Sequence, residues 1–162
     1  MNPAARVPRH ADRPRPQSTV STVAGLYAIT PEDADTDRLV RKVTAALAGG
    51  ASLVQYRSKS RDSTARRAQA ERLLGICRNA GALLIVNDDL ELAIAIGAHG
   101  VHLGREDGDI VAARARLGAD RLLGASCYDR LDLAIAAEAQ GADHVAFGSA
   151  FASPTKPEAV RA

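Results

Sequence analysis

Aromatic residues are scarce in this 162-residue chain: three Tyr, two Phe and no Trp, 3% in all. A core without them must be built from Ala, Leu, Ile and Val. Binding of single-stranded nucleic acid by stacking bases on rings loses its main device as well. Cysteine is nearly absent. Cys77 and Cys127 form no C-x-x-C pair and neither stands beside a His, which excludes a disulfide framework and suits a reducing cytoplasm. No apolar run approaches the ~20 residues of a membrane-spanning helix, and the N-terminus lacks the apolar stretch of a secretory signal. Neither sign of charge dominates. A net charge of +2 does not imply a nucleic-acid or membrane partner. Ser126 has no G-x-S-x-G elbow, so nucleophilic hydrolase chemistry is disfavoured.

What remains is a chain that is 46% hydrophobic and 25% charged, the balance of a globular domain. Residues 1–22 stand apart. Arg6, Arg9, Arg13 and Arg15 alternate there with Pro3, Pro8, Pro14 and Pro16, and no apolar period accompanies them. Such a segment cannot bury enough surface to offset its ordering entropy, so a disordered N-terminal extension is expected. One domain is expected over 23–162.

From Val23 onward, short apolar runs alternate with amphipathic ones. Strands are read at Ala24–Ile29, Ser52–Tyr56, Ala82–Val86, Gly100–Leu103, Arg121–Ala125 and His144–Phe147. The intervening helical patterns cover Leu39 to Leu47, Ser63–Asn79, Asp89–Ile96, Ile110–Leu117 and Asp129–Gln140. Uninterrupted apolar strands between helices imply a parallel sheet buried on both faces. A (β/α)₈ barrel and an open doubly wound sheet both fit that spacing. The strand-to-helix tips carry cations, amides, carboxylates and hydroxyls, whereas the helix-to-strand turns carry mostly Gly, Ala and Asn. That asymmetry favours a barrel, whose sites form at the C-terminal ends of its strands.

The candidate residues lie on those tips. Arg57 and Lys59 can grip one anion, as a fork and a point charge; a solvated loop is the plainer alternative. Gln55 can read a heteroaromatic edge or satisfy buried backbone. Asp88 and Asp107, reached from neighbouring strands, suit a hard cation such as Mg²⁺, although helix capping is the commoner role of an acid at either place. The run Gly148 to Lys156 offers glycine, hydroxyls and an ammonium for an anion, without the spacing of a P-loop. His102 is read as a hydrogen-bonded core residue, and His99 and His144 as surface or turn residues.

Five motifs in order give this constellation a resemblance. Gln55-Tyr56-Arg57-Ser58-Lys59 resembles Q-x-R-x-K. Asn87-Asp88 with Leu92-Ala93 resembles N-D-x-x-D-L-A. Gly100 to Asp107 resembles G-V-H-L-G-Q-x-D. Gly124-Ala125-Ser126 resembles G-x-S, and Gly141 to Gly148, followed by Ser153-Pro154-Thr155-Lys156, resembles G-A-D-Y-V-x-F-G with S-x-T-K. Together they resemble the thiamine phosphate synthase family, from Gly25 to the end of the chain.

The resemblance implies an α/β fold of the TIM (β/α)₈-barrel type, with about six of the eight βα units. It implies a magnesium-dependent transferase of thiamine biosynthesis. That enzyme joins a hydroxymethylpyrimidine diphosphate to a thiazole phosphate, giving thiamine phosphate and pyrophosphate by a dissociative substitution. By resemblance, Gln55, Arg57, Lys59, Asn87, Ser126 and Lys156 hold the pyrimidine diphosphate, with Tyr56 and Ser58 in the same motif. Ser153, Pro154 and Thr155 contact the thiazole phosphate, Asp88 and Asp107 hold Mg²⁺, and Arg57, Lys59 and Lys156 neutralise the leaving group. The partners implied are small molecules, with no nucleic acid and no membrane, in the cytoplasm; a homo-oligomer is left open. Departures from the family pattern include Glu91 for Asp, Ala152 for Pro and His99 for Asp. The seventh and eighth strands are not in the sequence. The expectation is therefore a fragment, poorly stable and weakly active alone. A thiazole tautomerase-like relative and a non-catalytic ligand-binding remnant are the alternatives.

Overall fold

The computed structural model describes residues 23–148. Its elements run β1 (Leu26–Ile29), α1 (Thr36–Ala48), β2 (Ala51–Tyr56), α2 (Ser63–Asn79), β3 (Leu83–Asn87), α3 (Leu90–Ile96), β4 (Gly100–Leu103), α4 (Ile110–Leu117), β5 (Leu122–Tyr128), α5 (Leu131–Ala139) and β6 (His144–Phe147). The strands form one parallel sheet in the order β1-β2-β3-β4-β5-β6. In a flat sheet, five strand spacings of ~4.8 Å would hold the first and last strands roughly 24 Å apart. Instead the rings of Tyr27 on β1 and His144 on β6 meet edge to face, with centroids 5.9 Å apart. The sheet is therefore curled into a half-barrel, which decides between the two expected architectures. Among the described residues β1 and β6 each pair on one side only, and Leu26, Ile29 and Phe147 on them are exposed.

Strand alternation divides the side chains between two faces. Val54 and Tyr56, Leu84 and Val86, Val101 and Leu103 face outward. They pack with Leu39 and Val43 of α1 and Leu73 and Cys77 of α2 in the main core. Leu53, Ile85 and Leu122 face inward and form a small second cluster. Above this layer the inward residues turn polar: Gln55, Asn87, His102, Ser126 and His144. The apolar floor and polar upper wall both follow from the register, which sets Asn87 opposite His102, and Gly124 opposite both His102 and His144.

The strands differ from the sequence pattern mainly at their C-terminal ends. β3 includes Asn87, because its backbone still pairs with β4. β5 runs three residues past Ala125, since Ser126 and Tyr128 still pair with β6 across an irregularity. The helix caps settle two ambiguities. Asp35, Asp62, Asp89 and Asp109 accept backbone N–H groups at the starts of α1 to α4. Asp88 and Asp107, each one or two residues earlier, are not the caps.

The opposite rim of the half-barrel is tied by side chains. Nε of Arg114 donates to Gly141 O (3.0 Å), Nη1 donates to the carbonyls of Gly118 and Arg121, and Nη2 donates to Gly141 O and to the Asp143 carboxylate. All five guanidinium N–H groups are used, which only the planar fork of arginine can do. Asp143 also accepts the Leu123 N–H at 2.8 Å, joining the start of β6 to β5. His99 does the same one unit earlier: its Nδ1 accepts the Leu84 N–H at 2.9 Å, and its own N–H donates to Leu84 O. His99 is thus a half-buried fastener and not the surface residue expected.

Three stability outcomes follow. At Gly100 a Cβ would lie 2.7 Å from Leu122 Cβ and nearer still to the Leu122 carbonyl, so Gly100→Ala should lower unfolding free energy by about 1–3 kcal/mol. Gly75 lies exposed inside α2 with open space around it, so Gly75→Ala should raise it by about 0.5–1 kcal/mol. Arg114→Lys keeps the charge but loses the fork, and a loss of roughly 2–4 kcal/mol is expected. Urea unfolding of the three variants beside the parent checks all of these; an Arg114→Lys midpoint equal to the parent's would remove Arg114 from the role given to it.

Candidate active site

The strand tips meet at one rim because all six strands run the same way. At the end of β3, Asp88 takes a left-handed backbone conformation (φ 64°), which Asp tolerates better than most residues. Its N–H donates to His102 O at 2.8 Å, and the Asp89 N–H donates to Asn87 O. The turn lets Asn87 stay paired with β4 while Asp89 starts α3, and it leaves the exposed Asp88 between them. Asp89 is then occupied twice, as N-cap and as the partner of Arg66 at 3.0 Å. At the end of β4, Asp107 folds back so that its carboxylate accepts the Gly104 N–H at 2.8 Å. Asn87, Asp88 and Asp107 line two adjoining clefts of about 570 and 600 Å³. The second is completed by Arg105, Tyr128 and Arg130, with the Arg105 guanidinium 5.6 Å from the centre of the Tyr128 ring. Tyr128 too has a left-handed backbone, φ 55°. The two non-glycine residues of positive φ among the described residues thus sit on this rim, where strain tends to collect at functional sites.

Among the described residues no group of three or more His, Cys, Asp or Glu is arranged to hold a metal. Two carboxylates on one cleft, with water and phosphate free to complete the shell, are the donor set that Mg²⁺ takes. The residues present therefore fit that ion.

The tip of β2 is built around Glu32. Its carboxylate accepts the Ser58 hydroxyl at 3.1 Å and the Lys59 N–H at 2.8 Å, while the Thr30 hydroxyl bridges the Arg57 N–H and carbonyl. The backbone is held, yet among the described residues the Arg57 guanidinium and the Lys59 ammonium have no hydrogen-bond or ion-pair partner. Cations positioned through their backbone and left unpaired are ready for an anion. Gln55 is buried on the inner face, its amide donating to the Tyr27 oxygen at 3.1 Å. Burial pushes the Tyr27 hydroxyl up to about 12, partly offset by that bond, so it stays protonated at neutral pH.

The tip motif therefore separates. Tyr56 faces outward, 2% exposed, and its hydroxyl donates to Gln69 on α2, while it also lines the first cleft together with Ser58. Ser58 is spent largely on Glu32. Ser126 lies on β5 beneath the rim, 3.0 Å from His102 Nε2, and does not line the two clefts. Ser153, Pro154, Thr155 and Lys156 lie outside the described residues, as does the N-terminal extension 1–22. His144, expected at the surface, is a correction: its register with Gly124 points it inward, where burial lowers its basicity. Sequence reading also passed over Tyr27, Glu32, Arg105 and Tyr128. Only for His144 was a signal present, in its alternation with the apolar Val145 along β6.

A family model described as thiamine monophosphate synthase matches residues 26–162. The chain belongs to the thiamine monophosphate synthase family. A thiamine-phosphate synthase of Chromobacterium violaceum is 61% identical over 140 residues, covering 86% of this chain and 68% of that protein. One of Thiobacillus denitrificans is 59% identical over 138 residues, covering 85% and 65%. In structure, the chain is similar to a thiamine phosphate pyrophosphorylase from Pyrococcus furiosus, with a TM-score of 0.70 and 35% identity over 84% of this chain and 64% of that one. The chain thus spans about two thirds of the length of these family members. The likeness supports the barrel-type α/β fold and the transferase class of the family.

The histidines make stability depend on pH. Burial lowers the basicity of His99, helped by Arg78, and that of His144 despite the opposing Asp143. Both start from 6.5, so below that value the unfolded chain binds more protons than the folded one. Stability is then full above about pH 6.5 and falls as the pH drops towards the lowered folded values. His99→Asp supplies the acceptor that Asp143 supplies on β6, without the imidazole. Urea midpoints measured from pH 7.5 to 5 should fall in the parent and fall less in His99→Asp; a flat parent profile would refute the assignment.

Proposed function

We propose that this chain carries the pyrimidine-diphosphate half of a thiamine phosphate synthase site, working on a hydroxymethylpyrimidine diphosphate and a thiazole phosphate. The observation that carries the reading is the single rim on which Asp88 and Asp107 share a cleft while Arg57 and Lys59, on a braced tip, have no partner among the described residues. A diphosphate brings the negative charge that those cations await and the oxygens that a metal shared with two carboxylates requires. Substitution at the methylene carbon needs no protein nucleophile. The departing pyrophosphate needs its developing charge met, and a fixed set of cations does this without reorganising. Bound Mg²⁺ adds charge compensation for that leaving group. Arg57 and Lys59 hold the diphosphate, Asn87 and Gln55 orient the pyrimidine, and the curled sheet holds both substrates close enough to react. Lys156 and the hydroxyls of Ser153 and Thr155 extend the anion site in this reading. A cytoplasmic setting suits such small, charged substrates, and no described helix is long and apolar enough to cross a membrane.

The test is release of pyrophosphate from the two substrates together. Release should require Mg²⁺ and stop on chelation. Asp88→Asn and Asp107→Asn should each lower kcat/KM by about 10²–10³-fold, with circular dichroism unchanged. A folded chain that binds thiazole phosphate but never releases pyrophosphate would favour the tautomerase-like reading instead. Full turnover by either Asp variant would exclude its residue as a metal ligand.

A further inference from the structure

On the inner wall three polar side chains stand in a row. His144 Nε2 is 3.4 Å from His102 Nδ1, and His102 Nε2 is 3.0 Å from the Ser126 hydroxyl. The imidazoles approach because residue 124 has no side chain: a Cβ there would lie 2.5 Å from His102 Nδ1 and closer to the His144 ring. Among the described residues His144 Nδ1 is buried with no hydrogen-bond partner.

A neutral imidazole donates from one nitrogen and accepts at the other, so the row can be wired in two directions. In one, His102 Nδ1–H donates to His144, Ser126 O–H donates to His102, and the proton on His144 sits on buried Nδ1 with no acceptor. In the other, His144 Nε2–H donates to His102 Nδ1, and His102 Nε2–H donates to Ser126. That leaves His144 Nδ1 as a bare acceptor. A buried donor left unpaired is rarer in proteins than an acceptor left short, which favours the second direction. It also frees the Ser126 O–H to donate away from His102.

We propose that His144 is a positioning residue: through the tautomer it imposes on His102, it turns the Ser126 hydroxyl into a hydrogen-bond donor toward a bound anion. The inference rests on the reading, implied by the family resemblance, that Ser126 reaches the diphosphate from beneath the rim, and it deepens that reading. It also gives a role to the imidazole that stands where the family pattern G-A-D-Y-V has a phenol. Burial keeps His144 neutral near pH 7, as the wiring requires.

Two measurements on the full chain test it. Long-range ¹H–¹⁵N spectra of ¹⁵N-histidine protein should show His102 and His144 both protonated at Nε2 and bare at Nδ1; a proton on His102 Nδ1 overturns the proposal. Binding of inorganic pyrophosphate with Mg²⁺, followed by calorimetry, should weaken about tenfold in His144→Phe, the worth of one oriented hydrogen bond. His144→Gln, whose amide still donates, should restore it. Equal binding by the parent and a folded His144→Phe overturns the proposal; if that variant fails to fold, weakened binding by His144→Gln does so. A parent chain that binds no pyrophosphate refutes the diphosphate reading, and the tautomer spectra then decide the wiring alone.

Discussion

The rest of the structure depends on the register of six parallel strands in a curled sheet. Parallel pairing sends every strand tip to one rim and every helix-to-strand turn to the other. The curl then brings inward-facing residues of distant strands within contact, as Tyr27 and His144 show. A slip of one residue would move Gln55, Asn87, His102 and Ser126 into the helix layer and bring Tyr56, Val86 and Leu103 inward. The site and the core are thus alternate readings of the same strands.

The two rims divide labour in their electrostatics. Where helices return to strands, charge is consumed locally: Arg114 spends every N–H on carbonyls and on Asp143. On the helix surfaces, Arg72 pairs with Asp37, and Arg116 with Glu91. At the strand tips the arrangement differs. Glu32 binds the backbone and hydroxyl of the β2 tip, whose cations have no partner among the described residues. Asp89 and Asp109 take the capping duty, so Asp88 and Asp107 need not provide it. Neighbouring residues thus do the structural work at this rim.

Much of this was legible in the residues. α2, β4, α4 and β6 fall on the spans read from hydrophobic period and glycine stops, because in those segments local propensity and packing agree. The motifs at Gln55, Asn87, Gly100 and Gly124 identified the family from order alone. Strand ends were less legible. β5 continues to Tyr128 by pairing with β6, a partner some twenty residues further on in sequence. Tyr56 and Gln55 are adjacent in one motif yet lie on opposite faces, and the motif does not carry that distinction.

By itself the sequence determined the alternation of strand and helix, the polar character of one set of connections and the inventory of cations and carboxylates. These are local properties, set by period, by capping chemistry and by residue type. Only the tertiary structure decided that Asp89 and Asp109 are caps, leaving Asp88 and Asp107 to share a cleft. It alone decided that His144 points inward and that His99 fastens β3 to β4. The cap bonds themselves are local, each carboxylate accepting an N–H three residues on. The rest depends on a partner brought near by parallel register, by a left-handed turn or by the curl of the sheet, and such proximity is absent from any window of neighbouring residues.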